Sequence, residues 1–154
     1  MRMRRARAAD LPAIVALLAD DMIGREREAA SAELATLAPQ YVAAFAAIEG
    51  DPHQLLAVAE GEGGAVIGTL QLSFIPGLSR RGLWRGQIES VRVASSERGG
   101  GIGRQMFEWA IAQCRERGCG LVQLTSDKRR PAAHRFYETL GFVASHEGYK
   151  LDLG

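Results

Sequence analysis

The sequence reads Ile88-Glu89-Ser90-Val91-Arg92-Val93, then Arg98-Gly99-Gly100-Gly101-Ile102-Gly103-Arg104, then a stretch with helical spacing of apolar residues over 106–117. The first segment is apolar and β-branched, so a strand is predicted to run into a glycine-rich turn that opens a helix. The first N–H groups of a helix lack partners within the helix, and with the helix dipole they favour anions. Arg98 and Arg104 add guanidinium groups that suit phosphate oxygens. This segment therefore predicts a phosphate-binding turn, with a ligand-free flexible loop as the alternative.

The glycine spacing excludes two common nucleotide-binding loops. A P-loop requires a lysine followed by serine or threonine, and neither stands at the required positions. The dinucleotide pattern G-x-G-x-x-G/A fails because its third position falls on Met106 or Arg104. What does fit is Arg98-x-x-Gly101-x-Gly103.

Two motifs resemble those of the GCN5-related N-acetyltransferases, the GNAT superfamily. Arg98-x-x-Gly101-x-Gly103 is similar to their pyrophosphate-binding motif, and residues 133–142, Ala-His-Arg-Phe-Tyr-Glu-Thr-Leu-Gly-Phe, are similar to A-x-x-F-Y-E-x-L-G-F. The two matches occur in the family's order and at about its spacing, and the resemblance extends from Asp10 to the C-terminus. It implies acetyl-CoA as acetyl donor and coenzyme A as product.

The rest of the chain predicts an α+β fold in one domain over 1–154. Apolar residues follow helical spacing from Leu11 to Met22 and again over 34–48, where Pro39 interrupts the stripe. Strands at 54–60, 65–75 and 86–94 form a predicted antiparallel meander. A strand over 121–125 parallel to 86–94, a helix opened by Pro131, and two last strands at 142–144 and 147–153 follow. The result is a mixed, mainly antiparallel sheet with helices on both faces.

The strand 86–94 changes its alternation partway. Ile88 lies in the even phase, whereas Val91 and Val93 lie in the odd phase, so one face can bury all three only with an extra residue. A β-bulge near Glu89–Ser90 is therefore predicted. The resemblance implies that this bulge splays a central pair of parallel strands and that coenzyme A lies in the gap.

Amide formation from a thioester needs a group that takes the amine proton and one that protonates the thiolate. The resemblance implies Tyr137 as the acid; its other reading is a tyrosine of the apolar helix face. Glu89, beside the predicted bulge, is the base candidate, or else an exposed strand glutamate, and His146 is an alternative base. Cys114 and Cys119 are interpreted as thiols outside the chemistry, which favours direct transfer over an acetyl-cysteine intermediate.

The residues expected to bind the acetyl-CoA include Val91, whose backbone N–H is a candidate to polarise the thioester carbonyl. Arg130 belongs to a basic turn that either meets the phosphates or is a solvated surface. Many relatives carry asparagine at the position of Arg130, so that contact is not transferred directly. The complete predicted cofactor set is Val91, Arg92, Val93, Arg98, Gly99, Gly100, Gly101, Ile102, Gly103, Arg104, Arg130, Phe136 and Tyr137.

The amino-acid composition limits the classes of partner that the protein is expected to bind. The 154 residues are 47% hydrophobic and 24% charged with a net charge of +1, which favours neither nucleic acid nor a membrane surface as partner. The N-terminal arginines are followed by no apolar signal segment, and the two cysteines have no metal-ligand or disulfide spacing. A cytoplasmic protein without a metal is expected, and a homodimer is common among the proteins it resembles.

The charge of the acceptor amine is left open. Asp20, Asp21, Glu26, Glu28 and Glu89 suit a cationic acceptor, whereas Arg80, Arg81 and Arg85 suit an acidic one. The resemblance implies an N-acetyltransferase acting on a primary amine of a small molecule in a ternary complex. The alternatives are a protein or peptide N-acetyltransferase and a non-catalytic acyl-CoA-binding regulatory module.

Overall fold

The computed structural model describes residues 1–21 and 23–154, so the predicted helical position of Met22 lies outside the described residues. The described chain forms a single five-stranded sheet in the order β1-β2-β3-β4-β5. The strands are β1 (Arg2–Arg5), β2 (Gln54–Glu60), β3 (Val66–Ile75), β4 (Arg85–Val93) and β5 (Leu121–Gln123). The helices are α1 (Leu11–Ala19), α2 (Gly24–Arg27), α3 (Pro39–Glu49), α4 (Ser79–Gly82), α5 (Ile102–Glu116) and α6 (Pro131–Thr139).

The sheet is antiparallel except at one pair. β1 to β4 pair antiparallel in sequence order, whereas β5 runs parallel to β4, with Arg85 opposite Leu121 and Gln87 opposite Gln123. The predicted meander and the predicted parallel pair are confirmed. Pro39 starts α3, because a proline lacks the N–H that the helix interior needs but its first turn does not.

The predicted bulge in β4 is also confirmed. The β3–β4 register runs Thr69 opposite Arg92 and Gln71 opposite Glu89, so β4 holds one residue more than β3 between those pairs. Ser90 adopts φ 52°, a left-handed conformation. Ile88 is therefore buried on the same side as Val91 and Val93, which pack against the same core.

Each face of the sheet carries a hydrophobic core. On one face, α5 and α6 pack on Leu70, Leu72 and Ile88. On the other, α1 and α3 pack on Val58 and partly buried Leu56. On this second face α1 also reaches β4. Away from the helices the face carries several polar side chains: Gln54, Gln71, Ser73, Gln87, Glu89 and Gln123.

The predicted last two strands are wrong. Residues 142–154 are all described, and none of them lies in a strand. Ser145 N–H donates to the Val143 carbonyl at 2.9 Å, which closes a tight turn in this segment. Glu147–Leu153 then continues without a neighbouring strand in its own chain, and strand pairing requires one.

None of the helices in the described part of the chain is long and apolar enough to cross a membrane.

Candidate functional site

The glycine turn takes the conformation that its composition predicts. Gly99 has φ 87° and Gly101 has φ 79°, values that residues with a Cβ rarely adopt, and Gly101 is the residue from which α5 starts. A Cβ built at either glycine would have no atom within 4 Å, so the outer surface of the turn is open. An open turn immediately before the first N–H groups of a helix is what binding of a phosphate there requires.

The two arginines of the turn make contacts inside the chain. Arg98 donates to the carbonyls of Val93 and Asp20, at 3.3 and 3.2 Å, and its guanidinium lies 3.6 Å from the Asp20 carboxylate. Arg104 donates to Thr139 Oγ1 at 2.9 Å and thereby connects the start of α5 to the end of α6. About half of the Arg98 side chain is exposed, so it stays accessible to a ligand.

The glycine turn lies against the end of β4 and against the second predicted motif. A Cβ on Gly103 would lie 3.9 Å from Val93 Cγ2 and 3.9 Å from Phe136 Cζ. Val91, Val93, Ile102, Phe136 and Tyr137 all pack against the core beneath α5. The structure therefore brings the end of β4, the glycine turn and α6 together.

Tyr137 lies in a cluster of aromatic rings. Its ring centroid is 5.6 Å from that of Phe107, 5.9 Å from Phe136 and 6.3 Å from Phe142. The side chain is partly buried. Both readings of this tyrosine remain compatible with the packing, since the ring fills the core edge while the hydroxyl is the reactive atom.

Glu89 is exposed on the polar face and accepts a hydrogen bond from Gln87 Nε2. Gln87 Oε1 in turn accepts from Gln123 Nε2 at 2.8 Å, so the parallel strands are linked by side chains next to Glu89. Gln54 Oε1 accepts from Gln71 Nε2 at 3.0 Å and from Ser73 Oγ at 2.9 Å on the same face. Glu89 therefore shares this face of the sheet with glutamine amides and a serine hydroxyl, which can donate and accept hydrogen bonds.

Asp21 is the centre of a cluster that includes Arg92 and Arg130. Arg130 Nη2 donates to Asp21 Oδ2, and Arg92 Nε lies 3.3 Å from the same oxygen. Burial alone would raise the pKa of the Asp21 carboxyl, but the Gly24 N–H and Arg130 hold it below its ordinary value. Burial lowers the pKa of Arg92, although Asp21 opposes that shift and the charge of Arg130 adds to it.

This arrangement leaves positive charge in excess. Two guanidinium groups share one carboxylate, and Arg27 also contributes to the potential at Arg92. Among the described residues, Arg92 Nε is buried without a hydrogen-bond partner. This nitrogen lies 3.3 Å from the Asp21 carboxylate, which compensates the charge of Arg92 only in part because Arg130 shares the same oxygen.

Other sequence candidates lie at the surface or are engaged elsewhere. His146 is exposed and contacts its neighbour Ser145 at 2.7 Å. Lys128 lies 3.9 Å from Glu147, and Arg129 pairs with Asp127 at 2.7 Å. Asp20 and Asp21, considered above as partners of a cationic acceptor, are instead paired with arginines.

Cys114 is fully buried, and burial together with Cys119 raises the pKa of its thiol to about 11. Burial also raises the pKa of the Cys119 thiol. At neutral pH both sulfurs are held as thiols, and a thiol is a poor nucleophile compared with a thiolate.

Within 1–21 and 23–154, no group of three or more His, Cys, Asp or Glu side chains is arranged to hold a metal ion.

Sequence reasoning missed the pairing of Arg92 and Arg130 through Asp21. Asp21 and Arg130 are 109 positions apart, so no local pattern joins them. The available signal was Arg92 itself, a charged residue between two valines at the end of β4.

Two curated relatives are similar to this chain. The first is the aminoalkylphosphonate N-acetyltransferase of Salmonella typhimurium, 36% identical over 104 residues, which are 66% of this chain and 65% of that protein. The second is the glucosamine 6-phosphate N-acetyltransferase of Trypanosoma brucei brucei, 37% identical over 91 residues, which are 58% of this chain and 59% of that protein. The aligned part of the chain therefore spans less than two thirds of either relative.

Among solved structures, a protein described as a transcriptional regulator from Bacillus halodurans C-125 superposes with a TM-score of 0.93. It is 48% identical, and the match covers 99% of both chains. The sequence profile described as the Acetyltransferase (GNAT) family matches residues 12–142. The bulged β4, the glycine turn opening α5 and this profile match agree, and the chain belongs to the GNAT family.

Proposed function

We propose that the protein transfers an acetyl group from acetyl-CoA to the primary amine of a small molecule. The observation that carries the proposal is the open glycine turn at the start of α5, packed directly against Val93 and Phe136. This region has the donors for a pyrophosphate and stands next to the tyrosine of the second motif. The family consists of acetyltransferases, and both curated relatives are named as N-acetyltransferases of small molecules.

Acetyl-CoA supplies the activated acetyl thioester, and the chain's residues orient it. The N–H groups that open α5, with Arg98, are proposed to bind the pyrophosphate, and open space at Gly99 and Gly101 supports this. The backbone of Val91, beside the bulge, is proposed to donate an N–H to the thioester carbonyl. Such a fixed donor stabilises charge that develops on the oxygen.

Glu89 and Tyr137 are proposed to handle the protons of a direct transfer within a ternary complex. Glu89 accepts a proton from the acceptor amine, directly or through water, as the C–N bond forms. Tyr137 donates its phenolic proton to the sulfur as the C–S bond breaks. The burial and raised pKa of Cys114 support transfer without an acetyl-cysteine step.

We further propose that the acceptor is a primary amine carrying a phosphonate or phosphate group. The excess positive charge where Arg92 and Arg130 share the carboxylate of Asp21 supports an anionic acceptor. Both curated relatives act, by name, on amines that bear such a group. Guanidinium forks match phosphate and phosphonate oxygens in geometry and charge.

Two other functions each have one observation in their favour. The polar face around Glu89 is uncovered, which suits a peptide α-amine that approaches across an open surface. The name of the Bacillus halodurans structure favours a regulatory module that binds an acyl-CoA without turning it over. We propose a cytoplasmic location, where both cysteines stay reduced, and a homodimer.

The experiment that tests the proposal is release of free thiol from acetyl-CoA across a panel of amines. The panel contains aminoalkylphosphonates, amino sugar phosphates, their uncharged analogues, polyamines and short peptides. We expect saturable release with a phosphonate or phosphate amine and at least tenfold lower kcat/KM with the matched uncharged amine. Turnover of peptides alone would support the peptide function, and acetyl-CoA binding by calorimetry without turnover would support the regulatory one.

A further inference from the structure

The carboxylate of Glu89 is held by a neighbouring amide. Gln87 Nε2 donates to Glu89 Oε1, and the two residues are two positions apart on β4, so both side chains lie on one face of the sheet. In the part of the chain that the structure describes, this is the hydrogen bond that the Glu89 carboxylate makes, and it engages one of the two oxygens. Because Glu89 is exposed, Oε2 stays open to solvent or to a ligand.

The amide of Gln87 is itself oriented by the next strand. Gln123 of β5 lies directly opposite Gln87 in the parallel pair and donates from Nε2 to Gln87 Oε1 at 2.8 Å. An amide has one accepting end and one donating end, so an oxygen that faces Gln123 turns the nitrogen toward Glu89. In the opposite orientation, the Gln87 oxygen would face the carboxylate and its NH₂ group would face another NH₂ group. The two hydrogen bonds therefore specify each other.

The other polar side chains beside Glu89 belong to a separate group. Gln71 lies opposite Glu89 across β3 and β4, yet it donates to Gln54 Oε1 at 3.0 Å. Ser73, which lies opposite Gln87, donates to the same oxygen at 2.9 Å. The hydrogen bond that holds Glu89 therefore comes from its own strand and is supported from β5.

The β-bulge explains why this support comes from one direction. Ser90 follows Glu89 with φ 52°, so the regular alternation of side chains in β4 ends at Glu89. Val91, two positions after Glu89, packs on the core of the opposite face. Along β4, the regular neighbour of Glu89 on its own face is therefore Gln87, two positions before it.

We propose that Gln87 and Gln123, here called the amide pair, are positioning residues for Glu89 in the step that removes the amine proton. Gln123 fixes the orientation of the Gln87 amide, and Gln87 holds Glu89 Oε1, which leaves Oε2 to receive the proton as the C–N bond forms. Neither glutamine gains or loses a proton. The inference rests on the proposed function, because it needs Glu89 as the base.

The physical benefit of the amide pair is a restricted side chain. An exposed glutamate samples many rotamers, and a base that is already oriented loses less conformational entropy when it reacts. The hydrogen bond from Gln87 restricts Glu89 from one side only, so the second oxygen is still able to meet an amine. Removal of the amide pair should therefore slow the reaction without displacing the acetyl-CoA.

Steady-state thiol release with the best acceptor of the panel tests the amide pair. Gln87→Leu is expected to lower kcat about tenfold and Gln123→Leu about fivefold, which is part of the contribution of a general base. The KM for acetyl-CoA should stay within about twofold, because neither side chain belongs to the predicted cofactor site. Gln123→Glu keeps the shape of the side chain but has no N–H to donate, so it is expected to be as slow as Gln123→Leu.

The double variant distinguishes positioning from separate structural effects. If Gln123 acts through Gln87, the variant that carries both leucines should have the kcat of Gln87→Leu within about twofold. Independent losses would multiply to about fiftyfold, and that result would overturn the proposal. The matched control is Gln54→Leu, which removes an amide of the same face that is bonded to Gln71 and Ser73. Its kcat should stay within about twofold of the wild type.

A second measurement does not depend on turnover. In the NMR spectrum of the isotope-labelled wild type, the side-chain NH₂ of Gln87 donates to a charged acceptor, so it is expected to resonate downfield of its position in Glu89→Gln. Gln123→Leu should move this signal toward that position, and Gln54→Leu should leave it in place. An unmoved signal in Gln123→Leu overturns the proposal even if the protein acetylates no amine.

The two measurements separate this inference from the proposed function. Full activity of Glu89→Gln would remove the base from the proposed function and would overturn the inference with it. A slow Glu89→Gln with an unchanged kcat in Gln123→Leu would overturn the inference alone. If the wild type turned over no amine, acetyl transfer would fail, and the Gln87 signal would still decide whether Gln123 orients the amide.

Discussion

At the scale of single residues, Tyr137 combines two properties that are separable by experiment. Its ring packs against Phe107, Phe136 and Phe142, which fixes the position of the side chain. Its hydroxyl is the only part that the proposed chemistry uses. Removal of that oxygen therefore isolates the chemical role from the packing role.

Tyr137→Phe is expected to lower kcat by about a hundredfold, the usual contribution of a general acid. The KM for acetyl-CoA is expected to stay within about twofold, because the ring that lines the site is retained. Steady-state thiol release measures both values. Tyr149→Phe removes the same atom from an exposed tyrosine outside the site and is the matched control; an unchanged kcat in Tyr137→Phe would exclude the tyrosine from the mechanism.

Arg130 has two candidate ligands, the coenzyme A phosphates of the sequence prediction and the acceptor anion of the present proposal. Arg130→Gln is expected to raise the KM of the phosphonate or phosphate acceptor about tenfold, the value of one charge-assisted hydrogen bond. The KM for acetyl-CoA should stay within about twofold. Arg129→Gln, next in sequence and bonded to Asp127, is the control. A rise confined to the KM for acetyl-CoA would assign Arg130 to the coenzyme instead.

The burial of the Cys114 thiol leads to a further prediction. Because Cys114 is fully buried and its pKa is raised to about 11, iodoacetamide at neutral pH is expected to modify Cys119 before Cys114 in the folded protein. Peptide mass spectrometry after timed labelling measures the order. The same method applied to enzyme mixed with acetyl-CoA alone should detect no acetyl group on either sulfur; its detection would contradict direct transfer.

The sequence and the structure agree best where a residue's role is local. The bulge at Ser90 was predictable because Ile88 and Val91 lie in opposite phases of one strand. The Arg92–Asp21–Arg130 cluster was not, because its members come from three segments that only the fold brings together. Arg4 shows the same limit, since its partners Asp10 and Glu60 come from other segments of the chain.

At the scale of elements, the glycine turn and the C-terminal segment of residues 142–154 differ in whether their own residues determine their conformation. The turn is determined by its own glycines and by the helix that follows, so its conformation could be predicted from a few residues. The two last strands could not, because a strand forms only beside another strand. The predicted strand over 147–153 is wrong, and no strand of the described sheet pairs with these residues.

Gly101 and Gly100 offer a matched pair for testing the turn. Gly101→Ala is expected to cost about 1 kcal/mol of stability, because alanine is strained at its φ of 79°. It should also weaken acetyl-CoA binding, because the N–H groups that start α5 shift with this residue. Gly100 has no positive φ, and its Cβ would lie 3.5 Å from the nearest atom.

Gly100→Ala is accordingly expected to change stability by less than about 0.5 kcal/mol, as most surface substitutions do. Urea unfolding and calorimetric titration with acetyl-CoA measure the two effects. Equal effects of the two alanines would show that the left-handed conformation of Gly101 is not what the site requires.

At the scale of the whole molecule, a buried ion pair joins the first strand to the helical layer. Asp10 accepts from Arg4 at 2.7 and 3.0 Å and from the Arg7 N–H at 2.7 Å, instead of capping α1 through its side chain as an aspartate before a helix often does. The Arg4 hydrogen bond is the main cause that holds the pKa of Asp10 below its ordinary value, against the effect of burial.

Because the folded pKa of Asp10 is lowered, its contribution to stability is present above the unfolded value of about 3.9 and is lost as the pH falls through the folded value. Asp10→Asn is expected to reduce the free energy of unfolding by about 2 kcal/mol at pH 7. The difference in free energy of unfolding between Asp10→Asn and the wild type should shrink as the pH falls below about 4.

Urea unfolding between pH 7 and the lowest pH at which the wild type remains folded measures this dependence. Glu26→Gln is the exposed control, with an expected change below about 0.5 kcal/mol. A difference independent of pH would show that Asp10 contributes through its shape and not through its charge.

The extra residue at Ser90 has a consequence for how such a chain can diversify. It divides β4 into two stretches, 85–89 and 91–93. The alternation of side chains between the two faces of the sheet changes phase from the first stretch to the second. In the proposed function, substitutions over 85–89, which include the candidate base Glu89, would change the acceptor side while Val91 and Val93 keep their alignment with the glycine turn. One extra residue in a single strand would thereby let the proposed acceptor side and the proposed acetyl-CoA side vary separately.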